Sequence, residues 1–198
     1  MFSKRPKIRI RIRTLTALLV VVLLLGCAAG GTLAWLVTKS ASVTNTFVSG
    51  NIGTLTLAET SGNSYVVTPG VNITKDPKVT FQGNNIPAYI FLKVEADGWN
   101  VTGSGTAYTY SIGNSQQMKW ELNGWTKVVD GVYYKEAAAN SGVQAWDIIN
   151  GNTITVSSSI TSADISDYAK NLAFTAYAIQ QEGFATVEAA WAQAQNLG

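Results

Sequence analysis

From Asn51 to Ile179 the chain is a succession of short runs rich in Thr, Val, Ile, Tyr and Trp, separated by Gly, Asn, Ser and Asp. β-branched and aromatic side chains suit a pleated surface, and punctuation this frequent leaves little room for long helices. Ala88 to Glu95 is the clearest case. Ile90, Leu92 and Val94 fall on one face, with Tyr89, Phe91, Lys93 and Glu95 on the other, as in a strand with one face in a core. Asn51 to Glu59 alternates in the same way, with Ile52, Thr54, Thr56 and Ala58 opposed to Gly53, Leu55, Leu57 and Glu59.

Lys119–Leu122, Trp125–Val129 and Val132–Lys135 predict a meander, because Asn123-Gly124 and Asp130-Gly131 are strong hairpin dipeptides. Asn152–Val156 and Leu172–Ile179 add two further strands. Asp97 to Thr106 reads as an exposed loop, and Lys135 to Ala139 as one helical turn. Thr186 predicts an N-cap for a helix from Val187 to about Asn196, with Glu188 in its first turn. Val187, Ala190, Trp191 and Ala194 share one face of it, with Phe184 beneath, as a lid over one end of the fold. The expected class is all-β: a jelly-roll-like β-sandwich with a short C-terminal helix, preceded by an N-terminal signal helix.

The N-terminus obeys different rules. Lys4, Arg5, Lys7, Arg9, Arg11 and Arg13 form a basic n-region over 4–13, followed by an apolar h-region over 15–25 and then Gly26, Cys27, Ala28, Ala29, Gly30 and Gly31. That order describes a secretory signal peptide over 1–34. Three fates follow from the residues alone. Thr32-Leu33-Ala34 sets small residues at −3 and −1 for cleavage between Ala34 and Trp35. Leu24-Leu25-Gly26-Cys27 is a lipobox pattern in which Cys27 would be lipidated. Ala17 to Val37, 21 mostly apolar residues, is long enough for an uncleaved anchor. The chain carries +2 overall, but residues 35–198 hold eight lysines, no arginine and twelve carboxylates, so the domain after the signal is acidic at 8 − 12 = −4. No nucleic-acid partner is expected of it.

Several segments together resemble a known family. They are Gly30-Gly31-Thr32-Leu33-Ala34-Trp35-Leu36, Thr44-Asn45-Thr46-Phe47, Gly50-Asn51-Ile52, Pro69-Gly70 and Ile73-Thr74-Lys75-Asp76-Pro77-Lys78-Val79. Asp130-Gly131-Val132-Tyr133-Tyr134, Ala176-Tyr177-Ala178-Ile179-Gln180 and Gly183-Phe184 complete the set. Their order and spacing are similar to the TasA/camelysin-like family of exported bacterial proteins with a SipW-type signal peptide. The resemblance implies processing after Ala34 by a SipW-type signal peptidase, and membrane contact only through the N-terminal segment before processing. It further implies a secreted product of the biofilm matrix or cell surface of a Gram-positive-type bacterium. Self-association into fibres is implied too, with other matrix proteins as partners. Trp35-Leu36-Val37-Thr38 departs from the family in lacking the Tyr or Phe, often followed by an acidic residue, that usually stands after the Ala.

Camelysin-like proteins carry a metallopeptidase label, which the residue inventory here does not favour. The chain has no histidine, and its one cysteine, Cys27, lies in the signal, so neither a His-ligated zinc site nor a Ser-His or Cys-His pair can be built. No Ser-x-x-Lys, Gly-x-Ser-x-Gly or phosphate loop occurs. Carboxylate pairs such as Glu95 with Asp97, or Glu121 with Asp130, read as solvated strand ends, and Asp164 with Asp167 as a solvated turn. No enzyme activity, cofactor or metal is expected.

Two functional expectations remain. In the first, residues 35–47 act as a donor strand for the next subunit's sheet. Trp35, Leu36, Val37, Thr38, Val43 and Phe47 lie in this extended stretch, and non-closing contacts of that kind build fibres. The same stretch is equally suited to be the first strand of its own sheet. In the second, a monomeric, surface-anchored module binds glycans, with Trp120 and Trp125 flanking a turn as an aromatic platform.

Overall fold

The computed structural model divides the chain into two units, Met1–Ala34 and Trp35–Gly198. The described residues all lie in the second: 37–40, 45–49, 52–62, 64–113, 116–161 and 171–196, with the backbone alone for 37–40 and 45–49. They form an all-β structure with a single α-helix among them.

Three antiparallel sheets are present, with strands numbered in chain order. The first contains, from edge to edge, β1 (Val37–Ser40), β14 (Leu172–Gln180), β6 (Ala88–Ala96), β11 (Val132–Ala137) and β10 (Thr126–Val129). The second contains β12 (Val143–Asp147), β5 (Lys78–Gly83), β3 (Gly53–Ala58) and β2 (Asn45–Ser49). The third contains β4 (Ile73–Thr74), β13 (Thr153–Val156), β9 (Met118–Glu121), β8 (Ala107–Ile112) and β7 (Asn100–Ser104).

One core joins the three. Leu55, Leu57, Val79 and Phe81 come from the second sheet, and Tyr110, Trp120, Ile154 and Val156 from the third. The first sheet supplies Ile90, Leu92, Val94, Phe174, Ala176 and Ala178. The period of two expected for β3 and β6 is therefore present, since alternate residues of each strand reach this core. The opposite face of the first sheet is buried as well, which the alternation of β6 alone does not show. Phe91, Val132, Tyr177 and Ile179 form a second cluster with Ala190, Trp191 and Ala194 of helix α1 (Val187–Ala194). Trp191 meets Phe91 and Tyr177 at ring-centroid distances of 5.4 and 5.2 Å. Thr186 caps α1 as expected, its Oγ1 accepting from the Ala189 N–H at 3.2 Å. The helix lies across the outer face of a sheet rather than over one end of the fold.

Three local expectations are corrected. Only one of the two turn dipeptides makes a hairpin. Asp130-Gly131 joins β10 to β11, with Gly131 at φ 72°, but Asn123-Gly124 carries the chain from the third sheet into the first, and β9 pairs with β8 and β13 instead. Asp97–Thr106 is not a loop throughout: Asn100–Ser104 is an exposed edge strand paired with β8. Gly103 makes that approach feasible, since a Cβ there would stand 2.0 Å from the Ala107 carbonyl oxygen. Lys135–Ala137 continues β11 in place of the expected helical turn, its register fixed by pairing with Ala88–Ile90.

Candidate functional site

The expected donor segment is split between two sheet edges. β1 is the outermost strand of the first sheet, with Val37 opposite Ile179, Thr38 opposite Ala178, Lys39 opposite Tyr177 and Ser40 opposite Ala176. β2, which includes Phe47, is the outermost strand of the second, running from Asn45 opposite Leu57 to Ser49 opposite Gly53. Both pair within the chain. Trp35, Leu36 and Val43 lie outside the described residues, as do Cys27, Ala34, Asp164 and Asp167.

What β1 covers is unusual for an edge. Residues 176–179 of β14 are buried on both faces, Ala176 and Ala178 toward the main core and Tyr177 and Ile179 toward the cluster under α1. A backbone ladder flanked by apolar groups on either side leaves few routes for water to replace a lost strand. A four-residue strand thus closes the rim of two cores at once.

The second arrangement of interest is a polar cluster on the run Ile73–Val79. Lys75, only 5% exposed, directs its ammonium at both oxygens of Glu59, 2.8 and 3.0 Å away. The Tyr65 hydroxyl donates to Glu59 Oε1. Burial, chiefly, and this bond push the phenol up to about 12, which makes it a hydrogen-bond donor rather than a base at neutral pH. Ser61 Oγ touches the same carboxylate at 3.3 Å and accepts from the Asp76 N–H at 3.2 Å. Asp76 in turn accepts from the Thr60 hydroxyl and from the backbone N–H groups of Thr60 and Ser61 at 3.0 and 2.8 Å. The Thr60 hydroxyl first, then the Ser61 bonds, hold its carboxyl well below the ordinary carboxylate range. The Pro77 carbonyl accepts from the Ile148 N–H at 3.0 Å, an ordinary backbone hydrogen-bond length, and Lys78 pairs with Asp147 at 3.2 Å. These bonds tie β3, β5 and β12 to the loop at 59–72.

No family model, curated protein or solved structure matches the chain.

The aromatic platform is overturned by its geometry. Trp120 is 1% exposed and Trp125 is 0% exposed. Trp120 stacks on Tyr110 with centroids 4.2 Å apart and meets Trp99 and Phe174 edge-on. Trp125 packs against Trp146 and donates its indole N–H to the Asp147 carbonyl at 3.3 Å. Neither ring offers a face to a sugar. The turn that separates them in sequence borders a groove of about 360 Å³ lined by Tyr108, Glu121, Asn123 and Asn150, to which neither ring contributes. Its carboxylate is already engaged, since Asn150 Nδ2 donates to Glu121 Oε2 at 3.3 Å. Asp130 pairs with Lys127 at 2.6 Å and Glu95 with Lys93, so each of these carboxylates has its own partner. Among the described residues no group of three or more His, Cys, Asp or Glu could hold a metal ion.

No motif in the sequence marks Glu59 or Tyr65 for a role, and Lys75 stands out only as part of a segment that resembles the family. A lone Lys beside a β-capable pair, Ile73-Thr74, is the one local hint of a buried cation.

Proposed function

We propose that the chain is a secreted structural protein of a biofilm matrix or cell surface, which assembles into fibres when the N-terminal strand of one subunit completes the sheet of the next. The observation that carries this reading is the position of β1, a short edge strand on a stretch of β14 that is buried on both faces. An equivalent strand from a second copy would meet the same backbone groups and the same apolar rim, so exchange costs little beyond the entropy of association. The proposal includes a jelly-roll-like sandwich, an N-terminal signal helix and release after Ala34 by a SipW-type peptidase. It assigns the domain no catalytic role and no cofactor. Burial of Trp120 and Trp125 removes the motive for the glycan-binding alternative.

Shortening the exported chain to begin at Asn45 removes β1 and keeps β2. The shortened chain is expected to fold as a monomer and to form no filaments by negative-stain microscopy, whereas the chain beginning at Trp35 forms them. Filaments unchanged by the deletion would refute strand exchange. N-terminal sequencing of the extracellular protein separates a free Trp35 from a lipidated Cys27.

A further inference from the structure

We infer that Lys75 and Asn152 become joined by an intramolecular isopeptide bond, with Glu59 carrying the protons. The three residues supply an amine, a carboxamide and an acid–base group. Lys75 is buried with its Nζ on the Glu59 carboxylate, and the rings of Phe174 and Tyr65 lie 5.8 and 5.0 Å from that nitrogen. An amine held there is shielded from bulk water and has a carboxylate in contact, the adjacent base that a lysine nucleophile needs to give up its proton.

The strand pairing brings in the carboxamide. β4 and β13 run antiparallel with Thr74 opposite Thr153, and the ladder continues one step, the Lys75 N–H donating to the Asn152 carbonyl at 2.9 Å. Opposed residues of an antiparallel pair have Cβ atoms about 5 Å apart, well within the length of a lysine side chain. Asn152 holds a left-handed φ of 51° at the end of a short 3-10 turn. Its side-chain oxygen is buried and has no hydrogen-bond partner. A buried carboxamide oxygen left without a partner, on a residue paired directly opposite a buried lysine, is a costly arrangement that calls for an explanation. Amide formation between the two supplies one.

The chemistry balances without an oxidant or activating group. Glu59 takes one proton from the Lys75 ammonium, and the free amine attacks Cγ of Asn152. Glu59 returns protons to the departing nitrogen, the Cγ–Nδ2 bond breaks, and the Nζ–Cγ bond remains. Of the five N–H protons at the start, one stays on the new amide and four leave as ammonium, which restores the Glu59 carboxylate. Proximity of this kind is what lets a slow condensation proceed inside a fold. The bond would form in a monomer, so it stands independently of the fibre reading.

Tryptic mapping of the full-length protein tests it. Without the bond, cleavage after Lys75 releases residues 40–75 and, separately, 136–170. With it, Lys75 resists trypsin, and residues 40–78 appear linked to 136–170 with the mass of the two peptides less one ammonia. The linked peptide is expected from the wild type and not from Asn152→Ala or Glu59→Gln. Separate, unmodified peptides from the folded wild type would overturn the inference. So would loss of one water within 40–78, which would mean that Lys75 had condensed with Glu59 instead.

Discussion

At the scale of single residues, the same chemistry takes opposite roles according to what the chain folds around it. Trp120 and Trp125 stand five positions apart around a turn, a spacing that serves equally for an exposed platform and for two inward rings. Which one holds depends on the sheets to either side, and those come from distant sequence. With Trp120 enclosed by Tyr110, Trp99 and Phe174, Trp120→Ala leaves a cavity between two sheets and is expected to cost about 3–5 kcal/mol, read as a lower urea midpoint. Asp76 is a different case, because its value lies in its charge. Its folded carboxyl titrates well below the ordinary 3.8, so its contribution is complete above that range and is lost as pH falls through the lower, folded value. Asp76→Asn should therefore be less stable than the wild type at pH 7. The gap between their urea midpoints should close as the pH is taken below the carboxylate range.

At the scale of elements, legibility follows how local the deciding contact is. Asp130-Gly131 makes the hairpin it promises because both strands lie beside the turn. Asn123-Gly124 has equal turn chemistry, yet β9 finds better partners in β8 and β13. The helix was fully readable, from its Thr186 cap to its apolar face, since a cap and a 3.6-residue stripe are properties of one segment. What it covers was not, because Phe91 and Tyr177 belong to strands far apart in sequence. The cluster they form with Trp191 is separate from the main core. Trp191→Ala is accordingly expected to release α1 while the main core persists. Amide exchange should accelerate across 187–194, with β3 and β5 keeping their protection.

At the scale of the whole molecule, β1 and β2 are edge strands, each hydrogen-bonded to its sheet on one side only. The acidic balance of residues 35–198 opposes non-specific association between copies, so the proposed fibre contact has to be a specific one. Residues 35–47 carry one charge, Lys39, and β1 joins its sheet by backbone pairing to β14. A synthetic peptide of residues 35–47 should therefore occupy the edge of a chain shortened to begin at Asn45, and in excess should stop growth of filaments made by the longer chain. Backbone pairing and general apolar adhesion make different demands on that peptide. Proline at both Thr38 and Lys39 removes two adjacent N–H groups, one of which must face β14 whichever way the strand is turned, and leaves Trp35, Leu36, Val37 and Phe47 in place. Loss of binding and of inhibition with the proline peptide, measured by titration calorimetry and by filament length, is the result expected of a strand that adds to a sheet. A proline peptide that binds as well as its parent would mean that the apolar side chains, and not the ladder, hold the segment.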